Sequence, residues 1–523
     1  MHHPSQSLPV VIVGGSLVGL SAALFLALRD VPVILVEKHT GSAAHPRAMG
    51  FTERSLEYFR VAGLGDAIPQ VAPDMRLRRV RADSLTGAWH DESQWTPGEA
   101  VDAAPCSPCT GAAIAQDKLE PILRSAAVAH GADIRLGVEM LGFSEDADGV
   151  TVHVRPRGAA TSYDIRASYL VAADGAGSTI RDALGIAHTG VGHLKTLRSV
   201  LFRCAEADAW LARGIQQFAI EQDGFSAFLT SYGDGRWVAM TDDDDTPWEP
   251  SDLVRRVLGR MPGRTLPFDI LATGRWELAG RIAERYAAGR VFLAGDAAHQ
   301  LPPTRGGFGA NTGIDDAYNL AWKLAWVLQG DAAPGLLDTY DAERRPIGWL
   351  RHQQTFARPD YAALAGGACD GVPLFGKEAM ELGQLVRSTA VIGAGPGLPP
   401  AAHPNDWAGQ PGTRAPHLWG RHRGERVSTI DLLTSGFVLL SEDARWMDAA
   451  RAAAGVLDID IGALHVGGDL VFDDDGAFKT RFGVQEAGAV LVRPDGIVAW
   501  RTPTVPAAPA ADLVDVLRKI LGR

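Results

Sequence analysis

The sequence predicts an α/β protein of several domains, on three observations. The first is an apolar strand, Val10–Val13, that runs into a glycine turn, a helix and a second apolar strand at 33–36. The second is the stretch 190–277, whose short alternating apolar and polar runs suit an antiparallel sheet. The third is length. A chain of 523 residues exceeds one hydrophobic core at roughly 100–200 residues per domain. A Pro/Gly-rich patch, 393–404, also sets off a further segment.

The elements follow in order. Val10–Val13 and 33–36 are apolar on both faces, as buried parallel strands are. Between them, 20–29 is rich in Ala and Leu, which favour helix. Leu119, Ile122, Leu123, Ala126 and Ala127 fall at helical spacing. Strands are expected at 150–154 and 169–171, then at 199–202, 225–230 and 237–240 in the middle sheet. The acidic run 242–245 reads as a solvated turn. Another buried strand is expected at 291–294. Ile314, Ala317, Ala321, Leu324 and Leu328 then make one helix face. Beyond the linker, 437–440 and Ala489–Val492 read as strands. Pro494-Asp495-Gly496 reads as a hairpin turn, and 513–521 as a terminal helix. The expected division is therefore 1–189 and 278–400 as two parts of one domain, 190–277 inserted between them, and 401–523 appended.

Composition narrows the function. Apolar residues make up 46% and charged residues 21%, which fits a globular chain and excludes a disordered or collagenous one. The net charge of -12 carries no basic footprint for nucleic acid. Four cysteines are too few to staple a chain this long. The apolar stretch 10–28 is interrupted by Gly14, Gly15, Ser16, Gly19 and Ser21, so it reads as strand, turn and helix. A signal peptide or membrane span is not expected. The expectation is a soluble, cytoplasmic protein that binds neither nucleic acid nor membrane.

A Rossmann-like dinucleotide site needs a strand ending in a tight turn that opens a helix, whose N–H groups and dipole meet the pyrophosphate. Gly14-Gly15-Ser16-Leu17-Val18-Gly19 matches the first and third glycines of that pattern, with Ser16 at the second. Glu37 closes the next strand, where an acid binds ribose hydroxyls and disfavours a 2′-phosphate. The turn therefore suits FAD or NAD better than NADP.

Two further glycine sites follow apolar strands. Asp174-Gly175-Ala176-Gly177 is, read alone, equally a ligand-facing turn or a plain β-turn. Gly295-Asp296 precedes Pro303, Gly307, Gly309, Ala310 and Asn311, a proline–glycine loop entering a helix. Asp296 can accept from a polyol, and the loop N–H groups can face a ligand that gains negative charge on reduction. His299 reads as a hydrogen-bonded structural residue rather than an acid–base group.

In this order the three sites resemble those of class A flavoprotein monooxygenases of the para-hydroxybenzoate hydroxylase fold. Closer still is the resemblance to polyketide hydroxylases acting on anthracyclines and angucyclines. It rests on Pro46-Arg47-Ala48, Gln116-Asp117-Lys118-Leu119-Glu120, Ile282-Ala283-Glu284-Arg285, Ser428-Thr429-Ile430-Asp431-Leu432 and Val492-Arg493-Pro494-Asp495-Gly496. The resemblance implies a Rossmann-like FAD-binding domain, an inserted mixed β-sheet substrate domain and a C-terminal thioredoxin-like domain. It implies FAD as cofactor, NADPH as reductant, molecular oxygen, and an aromatic polyketide hydroxylated on a phenolic ring through a flavin C4a-hydroperoxide. Baeyer–Villiger oxygenation and an FAD-binding reductase stay open as alternatives, as does a monomer or a homodimer.

By position, the resemblance implies that Gly14, Gly15, Ser16, Leu17, Val18 and Gly19 form the pyrophosphate turn, with Glu37 and Lys38 on the ribose side. Arg47 and Gln116 serve the phosphate–ribose and flavin sides, and Met140 flanks adenine. Asp174 serves FAD and NADPH; Gly295 and Asp296 meet the ribityl or pyrophosphate region. Pro303, Gly307, Gly309, Ala310 and Asn311 line the flavin ring. Arg387 is the one match to an Arg-rich stretch beside the substrate. Phe218, Phe225, Phe228 and Trp237 are candidate substrate contacts, although plain core is the better reading of each taken alone.

No metal site is expected. Cys106-Ser107-Pro108-Cys109 has Cys-x-x-Cys spacing, but no second pair accompanies it, and incidental thiols are the simpler reading. The last cysteine is Cys369, so the thioredoxin-like domain cannot perform dithiol chemistry. A packing or interface role is expected of it.

Overall fold

The structure, a computed structural model, describes residues 8–72, 78–94, 105–302, 308–433 and 436–523. Strand Val10–Val13, buried at every residue, lies inside a six-stranded sheet. Val33–Glu37 and Tyr169–Ala172 flank it in parallel. Asp133–Leu136 and Val291–Leu293 extend the sheet in parallel, and Ala287–Ala288 closes one edge antiparallel. Helix Leu17–Ala27 is buried nearly all round, because it packs against both Gln116–Ala129 and Phe308–Gln329. A helix between two others needs apolar residues on every side rather than a stripe.

The middle sheet has eight strands, in the order His299–Gln300, Asp269–Ala283, His188–Arg203, Arg236–Asp242, Phe225–Ser231, Gln217–Gln222, Arg78–Ala82 and Trp89–Gln94. It is larger than the expected insertion. Arg78–Ala82 pairs in parallel with Gln217–Gln222, which draws two strands of the first segment into it. Side chains alternate across the pleat. Val200, Phe202, Phe218, Leu229, Trp237 and Ala239 face a core shared with helix Pro250–Leu258. The other face opens on a cleft toward the six-stranded sheet.

The C-terminal segment forms a four-stranded sheet: Ile461–His465, Phe437–Ser441, Ala489–Val492 and Val498–Thr502. The first pair is parallel and the rest antiparallel, with helices Arg445–Leu457 and Pro509–Leu521 packed together beside it in a thioredoxin-like arrangement. This unit shares a core with the long helix Phe308–Gln329, where Trp322 and Trp326 meet the Phe437 ring edge-on at 6.1 and 4.9 Å. Buried charges also cross the boundary. Arg493 donates to Glu343 at 2.7 Å, and Arg414 donates to Glu57 at 2.9 Å. Among the described residues, no helix is long and apolar enough to cross a membrane.

Candidate active site

One continuous cleft of about 2320 Å³ lies between the two large sheets. Ligand pockets commonly enclose roughly 300–1,000 Å³. This cleft is large enough for an extended dinucleotide and a second, polycyclic molecule together.

The cofactor side begins at the turn after Val10–Val13. Gly14 has φ +109°, and a Cβ there would lie 2.2 Å from the Ala173 carbonyl oxygen. A Cβ on Gly19 would lie 1.8 Å from the Gly14 carbonyl oxygen, so the helix can close on the turn only with glycine. Gly14, Gly15, Ser16, Leu17 and Val18 line the cleft, whereas Gly19 packs behind them. Ser16 occupies the N-cap position without capping the helix, and no acid sits in the first turn. Its hydroxyl instead donates to Glu120 at 2.8 Å and accepts from Gln116 at 2.9 Å. The helix N-terminus thus stays open to an anion.

Glu37 accepts from the backbone N–H of Gly15 at 2.6 Å and of His39 at 2.7 Å, which holds its carboxylate at the cleft beside Lys38. Gln116 accepts from the N–H groups of Arg47 and Ala48 at 3.1 and 3.3 Å, tying the Arg47 segment to the glycine turn. Arg47, Met140, Asp174, Asp296, Gly309 and Ala310 all line the same side. Asp174 Oδ1 is buried without a hydrogen-bond partner among the described residues, and such orphans in native folds call for a ligand, water or ion. Burial pushes the Asp296 carboxyl above its ordinary value, with His299 and Arg47 opposing that shift. A bare helix terminus, a glycine cradle, three acids and Arg47 form a donor and acceptor set that fits FAD.

Some expected contacts are placed elsewhere. Gly295 lies just behind the lining, its N–H donating to Asp316. Asn311 turns its amide away from the cleft. It accepts from Ser55 Oγ at 2.6 Å and Thr52 N at 3.0 Å, and donates to the Gly50 carbonyl, so it fastens the long helix to helix Glu53–Val61. Pro303 and Gly307 lie outside the described residues. Arg387 does not reach the cleft either: it donates to the carbonyls of Gly395 and Leu398 and braces its own loop.

On the substrate side, only Phe228 of the four candidate aromatics lines the cleft. Phe218 and Trp237 point through the sheet into its core, where Trp237 Nε1 donates to Asp208. Phe225 packs on that same core beneath Arg256. Strand parity is the reason. The cleft face of these strands carries Gln217, Ala219, Phe228, Thr230 and Met240, and sequence reading had singled out only Phe228 among them. Trp276 and Leu278 join from Asp269–Ala283, and Arg79 sits over the Phe228 ring at 5.4 Å. Two links set the spacing of the walls: Tyr232 Oη donates to the Pro46 carbonyl at 2.8 Å, and Arg236 to Asp117 at 2.8 Å. Cys106 and Cys109 also border the cleft as buried thiols outside any disulfide; burial raises both, Cys109 to about 12, which suppresses thiolate chemistry.

Comparison with known proteins agrees with this geometry. Residues 7–355 match the family model described as FAD binding domain, and residues 408–523 match aromatic-ring hydroxylase, C-terminal. The chain is 39% identical over 544 residues to the tetracenomycin B2 monooxygenase-dioxygenase of Streptomyces olivaceus, covering 99% of each. It is 37% identical over 547 residues to the aklavinone 12-hydroxylase of Streptomyces purpurascens, covering 98% of this chain and 99% of that one. A solved ternary complex of aklavinone-11 hydroxylase with FAD and aklavinone superposes with a TM-score of 0.86 at 34% identity, covering 100% of both chains. The chain belongs to the FAD-binding aromatic-ring hydroxylase family.

Proposed function

We propose that this protein is an NADPH-reduced, FAD-dependent monooxygenase that uses molecular oxygen to hydroxylate a phenolic ring of an aromatic polyketide or related natural product. The observation that carries the reading is the single cleft of about 2320 Å³, with an anion-binding glycine turn at one wall and an apolar sheet at the other. FAD, when bound, supplies the redox and oxygen-activating chemistry. The chain supplies binding, orientation and exclusion of water. Gly14 to Val18, Glu37, Arg47 and Asp296 would hold the cofactor. Phe228, Met240, Trp276 and Leu278 offer flat apolar area to a fused-ring substrate and leave little for water to bind. Relatives named for aklavinone and tetracenomycin intermediates suggest a polycyclic ring system, in keeping with the cleft's size.

The test is NADPH consumption by the FAD-loaded protein. A tetracyclic phenol should accelerate it and give a product heavier by one oxygen atom. FAD reduction that no aromatic compound accelerates, with no product formed, would overturn the reading in favour of a reductase.

A further inference from the structure

Asp296 lines the cleft half-buried, and no hydrogen bond holds its carboxylate among the described residues. Its position is therefore set by its backbone. The residue before it, Gly295, takes φ +62°. The Gly295 N–H donates to Asp316 Oδ2 at 3.2 Å. The same Oδ2 accepts from His299 Nε2 at 2.6 Å, and Oδ1 accepts from Arg344 Nε at 2.7 Å. Both Asp316 and His299 are fully buried. One carboxylate thus ties the start of the Gly295-Asp296 turn to strand His299–Gln300, which leads directly into Leu301 and Pro302 of the cleft wall.

We propose that Asp316 is a positioning residue for the bound flavin: it fixes where Asp296 and the Leu301 and Pro302 wall meet the cofactor. The proposal rests on the family's FAD binding. The Gly295 N–H and the Arg344 guanidinium are donors, and with the His299 proton on Nε2 an ionised carboxylate accepts from all three. An amide of the same shape would turn an N–H against at least one donor. A buried ion pair is a poor way to gain stability, because desolvation consumes much of the attraction. Tying two helices together would not need Asp316 either. Lys323 and Glu343 already form a fully buried pair at 3.0 Å between the same helices, Phe308–Gln329 and Asp338–Phe356. What distinguishes Asp316 is its contact with the turn.

The experiment is FAD titration of the full-length apoprotein, followed by flavin fluorescence and visible absorption, with a thermal midpoint for each variant. Asp316→Asn should raise the Kd for FAD about 10- to 100-fold, the scale of one charge-assisted hydrogen bond. It should also blur the fine structure of the bound flavin's visible band. Arg344→Lys, which keeps the charge but loses the guanidinium geometry, should fold and raise Kd less; it carries the test if Asp316→Asn does not fold. Lys323→Met should lower the thermal midpoint while leaving Kd and spectrum unchanged. Wild-type Kd and spectrum in both Asp316→Asn and Arg344→Lys would overturn the proposal. So would an equal rise in Kd for Lys323→Met, which would mark a merely structural role. Failure of the wild-type protein to bind FAD would instead overturn the reading on which the proposal rests.

Discussion

Replacing Glu57 by Gln should loosen the join between the C-terminal domain and the rest of the chain. Glu57 is 1% exposed and accepts from Arg414 Nε at 2.9 Å, Ser107 Oγ at 2.6 Å and Arg54 Nη1 at 3.1 Å. Arg414 Nη2 adds a second bond, so the carboxylate is gripped by a fork. Arg414 itself is buried, so no water can replace what Gln fails to offer. An amide keeps one acceptor and presents a donor to a guanidinium. Removing one partner of a buried pair costs about 3–5 kcal/mol, a large share of the roughly 5–15 kcal/mol that stabilises a typical domain. Urea unfolding of the full chain, followed by tryptophan fluorescence, reads this as a lower midpoint. Trp446 and Trp500 report the C-terminal domain directly, since their rings meet at 5.8 Å inside it. A double-mutant cycle with Arg414→Met should show coupling, because residues sharing one network interact by about 0.5–3 kcal/mol. A loss below about 1 kcal/mol, or strictly additive losses, would show that Glu57 does not hold the join, since an exposed pair behaves that way.

Three further predictions follow from the site. Gly19→Ala places a Cβ 1.8 Å from the Gly14 carbonyl oxygen, so FAD affinity should fall at least about tenfold by equilibrium titration, the cost of forcing the pyrophosphate turn apart; unchanged affinity would show that the turn does not hold the cofactor. Phe228→Ala should raise KM for a polycyclic phenol and leave FAD affinity intact, whereas Phe218→Ala, emptying a fully buried core position, should cost about 3–5 kcal/mol of stability with little effect on KM; the reverse pattern would invert the assigned sheet faces. Acid should unfold the chain steeply. Burial works against ionisation of Glu57, Asp316 and Asp495, but Arg414, His299 and Arg493 respectively lead the charges that outweigh it and hold all three carboxyls below their ordinary values. Carboxyls depressed by folding lend stability that is complete above their unfolded values and lost as pH falls through the folded ones. The urea midpoint should therefore drop from about pH 4–5 downward, and a flat profile there would contradict it.

What the sequence made legible were the features written in short range. The glycine turn, Glu37 and the acid of Gly295-Asp296 each lie within a few residues of the strand that presents them, and all stand in or against the cleft. Strand parity was visible, but which parity faces the cleft was not. That depends on which face helix Pro250–Leu258 covers, a tertiary packing that strand alternation alone does not encode. Hence Phe228 was found, while Gln217, Thr230 and Met240 on the same face were missed and Phe218 and Trp237 were misplaced. Asn311 and Arg387 mislead for a different reason. Each is a polar residue near the site in sequence, with its hydrogen bonds committed elsewhere, to Ser55 and Thr52 in one case and to two loop carbonyls in the other. Asp316 carried no local signal, since its three donors lie 17 to 28 residues away, two in the stretch 295–299 and one on helix Asp338–Phe356. The C-terminal domain was the opposite case. Lack of cysteine after Cys369 leaves it without a dithiol, and Glu57–Arg414 and Glu343–Arg493 tie it to the rest of the chain.

On the proposed function, this cleft brings bound FAD, oxygen and an aromatic ring together. Turnover of the FAD-loaded protein with NADPH and a hydroxylated tetracyclic substrate under ¹⁸O-labelled dioxygen tests it most directly. The product should carry one labelled oxygen on an intact ring, and no label when only the water is enriched. Tight FAD binding with no label in product across a panel of aromatic polyketides would contradict it.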